Sequence, residues 1–411
     1  MVNKDYPGRG KVAMVRTRPA SVVDDYARLL ALAEYETVLP KEYLTLLKIN
    51  ISWQTWYPAC STTPWQLEGV IRTLQQDGYD LLGVHNDTVV VDTGDGERNN
   101  KQKYVTDKYG VPCAYIYKPE VEWVRYEPET PFLVLDDIYP DGVYIPKLLI
   151  GNNIIQLPTI KTHVFTTITG AMKNAFGGLL SRHRHWTHAQ IHETVVDLLK
   201  VQQEIHPGLF AVMDGTFAGD GPGPRAMRWH EKNVLLASAD QVAIDATSAM
   251  LQGFDPMEIP FIRIAHELGL GVGDPKEIEF VGDEDIAEER WNFVQEDTFA
   301  SRGQKMIYHG ALRPFEDLLL RSPIVPWSYF ASNFYHNVYW YPVVGRRRVE
   351  AALKTPWGQL FAEYGSEAGY EGAVLPTVEK KTVLQGAAFL GAGLLAAGGL
   401  AALLSGGGGD D

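Results

Sequence analysis

The chain has 411 residues, 45% hydrophobic and 21% charged, with 51 Asp plus Glu against 37 Lys plus Arg and a formal net charge of -14. That length and composition suit one large globular domain or two ordinary ones, and the acidic surplus argues against nucleic acid as a partner, which calls for a basic face. The two cysteines, Cys60 and Cys113, form no C-x-x-C pair; this excludes a four-cysteine zinc or iron–sulfur site within one chain and fits a reducing compartment better than a disulfide scaffold.

The opening residues, MVNKDYPGRGKVAMV, hold no apolar h-region, so no secretory signal is expected. Strand and helix patterns then alternate. KVAMVRT reads as a strand, VVDDYARLLALAEY as a helix and YLTLLKINIS as a second strand. TPWQLEGVIRTLQQDGY is a helix with Thr63 as its cap, Pro64 at its first position and Gly78 closing it. DLLGVHN is a strand, NNKQKYVTDKYG a polar helix, and CAYIY a further strand. The rhythm predicts an α/β fold, a Rossmann-like mixed or parallel sheet with helices on both faces. G-x-G-x-x-G is missing, so no dinucleotide site is read.

FLVLDDIY, GVYIPKLLIG and NNIIQLP are strand-like. The helix HAQIHETVVDLLKVQQEIHP carries a capping-box pattern in Thr187 and Gln190. GLFAVMDGT and NVLLASADQVAID read as strands, FIRIAHELGLG as a helix and EIEFVGD as a last strand. The expected divisions are an α/β domain over 1–285, whole or in lobes 1–150 and 151–285, an aromatic-rich extension over 286–378, and an anchor and tail over 379–411. The aromatic stretch 323–344, followed by Arg346, Arg347 and Arg348, suits either a lipid headgroup interface or a packed aromatic subdomain. From Thr382 to Leu404 the chain is uncharged, and a single C-terminal transmembrane helix is expected there. Lysines on its N-terminal flank would hold the domain at the cytoplasmic face of the membrane. The alternative is a low-complexity tail.

Open α/β sheets bind ligands beyond the carboxyl ends of their strands, and four strand ends here are polar. One ends at Lys48 and Asn50, one at His85, Asn86 and Asp87, one at Lys161 and His163, and one at Asp214. A lysine in an apolar strand needs a counter-ion, a ligand or solvent. The segment GAMKNAFGG reads as a loop entering a helix, whose N–H groups would attract an anion beside Lys173. The bland alternative pairs these lysines with Asp214 and Asp240. His183, His185, His188 and His192 crowd one segment, and His188 is the one kept as a candidate. Asp214 and Asp220 in a Gly-rich loop suit a divalent cation or the orientation of a base. Asp240 suits a helix cap, Asp245 inside a helical pattern needs a partner, and Cys113 reads as core.

LPTIKTHVFTTITGAMKNAFGG, HAQIHETVVDLL, LFAVMDGTFAGDGPGPR, ASADQVAIDATSAMLQG and the earlier LLKINIS and STTPWQLEGVIRTLQQDGY together resemble the domain-of-unknown-function 362 (DUF362) family. The resemblance covers roughly the first two-thirds of the chain. It implies an α/β domain, often associated with iron–sulfur chemistry through ferredoxin-like cysteine motifs. Those motifs are missing here, so an intrinsic cluster is not expected. Lys161, His163, Lys173, Asn174, Asp214 and Gly221 match the family's pattern positions, which implies a shared site.

The leading expectation is an enzyme at the membrane surface, acting on a small anionic or phosphorylated molecule. Lys48, Asn50, Lys161, Lys173 and Asn174 would bind it; His163, Asp214 and His188 would act on it; Asp214 and Asp220 would hold a divalent metal if one is used. A membrane-tethered ligand-binding or assembly protein is the alternative from another class, and a homo-oligomer is left open. In a third reading the same polar groups are purely structural.

Overall fold

The computed structural model describes residues 6–86, 91–308, 310 and 334–369. Its strands in chain order are β1 (Lys11–Arg16), β2 (Thr45–Ile49), β3 (Leu81–His85), β4 (Cys113–Tyr115), β5 (Trp123–Tyr126), β6 (Val143–Pro146), β7 (Asn153–Leu157), β8 (Thr159–His163), β9 (Thr167–Thr169), β10 (Leu209–Asp220), β11 (Arg228–Ser238) and β12 (Glu279–Gly282). One large mixed sheet runs β12-β1-β11-β10-β7-β2-β3-β4, with β8 pairing β10 and β9; β5 and β6 form a separate hairpin. The run β10-β7-β2-β3-β4 is parallel, whereas β11 is antiparallel to β10 and β1.

Strands buried on both faces read as continuous apolar runs, and period-two alternation divides them. Val12 and Met14 of β1 enter one core, while Ala13 and Val15 enter the other. In β2, Leu46 faces the first core, and Leu47 and Ile49 face the second. Helices Ile191–Ile205, Gln241–Gln252 and Pro260–Glu267 cover the first face. Helices Val22–Leu32, Pro64–Gln76 and Arg346–Ala352 cover the second. The Thr63 cap forms as expected: its hydroxyl accepts from Gln66 N, and the Gln66 side chain returns to the Thr63 N–H.

Several expected elements differ. FLVLDDIY is not a strand but contains the short helix Leu135–Ile138. Its reason is distant: the Asp197 carboxylate accepts from the N–H groups of Leu133, Val134 and Leu135, supplying the helix start with acceptors. The Thr187 capping box does not form. Residues Arg182–Gln190 make a 3₁₀ segment in which the Thr187 hydroxyl donates to Arg184 C=O, and the α-helix begins at Ile191. NVLLASADQVAID is a strand only as far as Ser238; Asp240 then caps the helix Gln241–Gln252.

The expected C-terminal transmembrane helix is corrected. Among the described residues no helix is long and apolar enough to cross a membrane. The run 382–404 that suggested one lies outside the described residues, and what the described residues form is a mixed α/β fold. Within the aromatic extension, Trp340 and Tyr341 pack against Trp53, with ring centroids 6.1 and 5.5 Å away. Phe361 stacks on Trp56 at 4.1 Å and Trp357 meets Trp65 at 5.3 Å. These rings belong to the second core, while Val338, Tyr339 and Val343 stay exposed.

Candidate functional site

The chain runs outward from β2 through β3 to β4, then returns to place β7 on the other side of β2. That reversal is a topological switch point, and the space beyond the carboxyl ends of β2 and β7 is where such sheets take ligands. Lys48 of β2 and Gln156 of β7 are register partners there.

Lys48 alternates onto the same face as Leu46 and is 2% exposed. Its Nζ donates to Ile49 C=O at 2.9 Å and to Asn86 Oδ1 at 3.0 Å. Burial, then the nearby Arg184, lowers its ammonium to about 7. Lys161 is fully buried and donates to Thr159 Oγ1 at 2.7 Å, Cys60 C=O at 2.9 Å and Asn50 Oδ1 at 3.3 Å. Burial brings it to about 8, against a smaller opposing effect of Cys60. Asn174 ties the group together. Its Nδ2 donates to Lys48 C=O and Gln156 Oε1, at 3.0 and 2.9 Å, and its Oδ1 accepts from Asn50 Nδ2 at 3.2 Å.

Lys173 is partly buried, its Nζ 5.4 Å from the centroid of the Phe176 ring. It makes no hydrogen bond or ion pair among the described residues; burial, then Lys161 and Arg184, lowers it to about 7. None of Lys48, Lys161 and Lys173 pairs with a carboxylate among the described residues, so pairing with Asp214 and Asp240 is not what satisfies them.

The two histidines hold opposite tautomers. His163 Nδ1 accepts from Phe165 N at 3.1 Å and Thr166 N at 3.4 Å, which puts its proton on Nε2. His188 Nδ1 lies 3.1 Å from His185 C=O and can only donate to it, which leaves Nε2 with a lone pair. Both flank the Phe165 ring, and His188 also stacks on Tyr308 at 5.8 Å. Burial and Lys173 hold both neutral, His163 well below its ordinary value and His188 at about 3. His85, at the end of β3, lies 3.4 Å from Glu97 and stacks on Tyr115. Asp87 and the side chain of His183 lie outside the described residues.

The helix start at Gly170 holds an anion, but it is the protein's own. Asp245 accepts from Ala171 N at 2.6 Å and Met172 N at 3.1 Å. A Cβ on Gly170 would come within 2.2 Å of that carboxylate. Burial raises Asp245 to about 7. The expected anion at these N–H groups is thereby corrected. Asp240 is likewise engaged, by the N–H groups of Gly10, Val242, Ala243 and Val272.

Asp214 faces the second core and is bonded to none of the three lysines. Oδ2 accepts from Tyr26 at 2.7 Å, Thr63 at 2.8 Å and Trp65 at 2.9 Å, while Oδ1 accepts from Thr216 N and Oγ1 at 2.8 and 2.6 Å. Asp220 accepts from Arg228 at 2.9 Å and from Val294 N at 2.8 Å. The two carboxylates share no partner in these bonds, and no group of three or more metal-type ligands occurs among the described residues. Gln156 was missed in the sequence, although a glutamine inside NNIIQLP is the same kind of signal as a lysine inside LLKIN.

A parallel half-sheet with basic and amide groups gathered at its switch point defines a mixed α/β protein. The chain belongs to the DUF362 family, whose model (Domain of unknown function, DUF362) matches residues 45–250. That span contains every residue of the lysine–histidine cluster. The chain is also similar to Thylakoid-associated protein sll1697 of Synechocystis sp., 31% identical over 121 residues. The alignment covers 28% of this chain and 37% of that protein. No solved structure matches the chain.

Proposed function

We propose that the protein binds a small anionic molecule, carboxylated or phosphorylated, at Lys48, Lys161 and Lys173, and moves protons on it through His163 and His188. The observation that carries this reading is three buried or part-buried lysines with no carboxylate partner among the described residues, in a chain of net charge -14. Buried ammonium groups are costly without an opposing charge, and a ligand anion supplies one. The histidines add complementary groups: Nε2–H of His163 donates and Nε2 of His188 accepts. The thylakoid association in the relative's name supports a membrane-surface setting, one that does not rest on a spanning helix.

Calorimetric titration with sulfate, which does not ionise further near neutrality, tests the site. Lys48 and Lys173 sit at about 7 in the free protein, and a bound anion raises both. Affinity is therefore present below pH 7 and lost as pH rises above it, by about tenfold per pH unit for each lysine that must take up a proton. Lys173→Ala should abolish binding; a pH-independent affinity that survives this substitution would refute the site. The acid–base pairing is tested by ¹⁵N imidazole spectra, in which His163 should show the Nε2–H tautomer and His188 the Nδ1–H tautomer from pH 5 to 9. Identical tautomers would remove the proton-transfer reading and leave binding alone.

A further inference from the structure

The loop between β10 and β11 carries Arg225 to the edge of the same polar network. Gly223 lies against β8, where a Cβ would meet Thr162 C=O at 1.8 Å, and its own C=O accepts from Val164 N at 3.2 Å. The Cys60 thiol donates to Pro224 C=O at 3.2 Å. Arg225 Nε donates to Ser52 C=O at 2.9 Å, so the side chain is held by the loop that follows β2. Its two terminal amino groups make no hydrogen bond or ion pair among the described residues. Asp220, which closes β10 before this loop, pairs with Arg228 at 2.9 Å, and Glu296 pairs with the same arginine at 3.0 Å.

Ser52 and Asn50 connect Arg225 to Lys161. Ser52 Oγ donates to Asn50 Oδ1 at 3.1 Å, and the same oxygen accepts from Lys161 Nζ at 3.3 Å. Asn50 Nδ2 reaches Asn174 at 3.2 Å, and Asn174 follows Lys173 in the chain. A guanidinium is a rigid planar fork matched to two oxygens of one carboxylate, and here the fork's outer nitrogens are unused.

We propose that Arg225 is a second anchor of the site, and that the ligand therefore carries two acidic groups: a carboxylate seated on Arg225 and a second anion on Lys173 and Lys48. This rests on the anion-binding reading above and names its ligand class. Burial, which lowers the Arg225 guanidinium from its ordinary value, is relieved by such a partner.

The test compares methylphosphonate with phosphonoacetate, 3-phosphonopropionate and 4-phosphonobutyrate on the full chain by calorimetry. At least one phosphonocarboxylate should bind about tenfold or more tighter than methylphosphonate, the size of one good charge-assisted contact. Arg225→Gln should erase that advantage and leave methylphosphonate binding unchanged. Arg225→Lys, which keeps the charge and loses the fork, should restore only part of it. If no homologue exceeds methylphosphonate, or the advantage survives Arg225→Gln, the second anchor is wrong. Methylphosphonate binding that is lost in Lys173→Ala would then show the lysine site still standing. Failure of methylphosphonate to bind the unaltered protein at all would overturn both.

Discussion

Asp214→Ala is expected to lower folding stability by about 3–5 kcal/mol, because several buried donors lose their acceptor at once. The carboxylate is fully buried and takes five hydrogen bonds, from Tyr26, Thr63, Trp65 and twice from Thr216. Each donor left unsatisfied costs about 1–3 kcal/mol, and the losses are not additive. These donors sit on helix Val22–Leu32, on the N-terminal cap and first turn of helix Pro64–Gln76, and on β10 itself. Asp214 therefore clasps three elements and shares none of these partners with the lysines. Asp214→Asn should also be costly, because it turns an NH₂ towards groups that can only donate or already do so. Urea unfolding followed by tryptophan fluorescence reads the effect, and sulfate affinity of the folded fraction should stay as in the unaltered protein. A stability loss below about 1 kcal/mol together with altered ligand or metal affinity would restore the catalytic or metal-binding role expected for Asp214 from the sequence.

The contrast between Asp214 and the lysines shows what the sequence makes legible. A lysine inside LLKIN or LPTIKTH stands out because an apolar run announces burial and an amine contradicts it. The Thr63–Gln66 cap is legible because every atom it needs lies within one turn. Asp214 announces burial just as clearly, yet its role depends on Tyr26 and Thr63, brought to it by the fold across more than a hundred residues. The same holds for Asp245. Its position inside a helix predicts a need for partners, but not that the partners are Ala171 N and Met172 N. The short helix Leu135–Ile138 depends on Asp197 in the same way. Local pattern misleads at Thr187, where a correct capping-box spacing is overridden by a 3₁₀ segment stacked through His188 on Tyr308. Arg225 is not legible, because the Gly-Pro-Gly-Pro run before it specifies a turn and not where the turn's side chain goes.

Lys173→Met is expected to remove sulfate binding and leave the protein as stable as before or more stable by about 1–2 kcal/mol, since replacing an ill-paired buried charge with an apolar group of similar volume is neutral to stabilising. Among the described residues, the compensation the amine receives is the face of Phe176, with Nζ 5.4 Å from the ring centroid. That contact is worth about 0.5–2 kcal/mol, and a methionine sulfur retains part of it. The pH dependence carries the sign. Lys173 loses its proton near pH 7 when folded but near 10.4 when unfolded. Between these values the unfolded chain binds more protons, so this residue makes the unaltered protein more stable as pH rises from 7. Lys173→Met should flatten that rise in urea midpoints measured from pH 7 to 9.5. A purely structural lysine predicts the reverse, with lower stability at every pH and sulfate affinity unmoved. The cationic cluster would then be a feature of the core, and the anion site would have to be sought elsewhere. Stability kept and affinity lost in the same variant is the pattern of a group retained for a ligand at some cost to the fold.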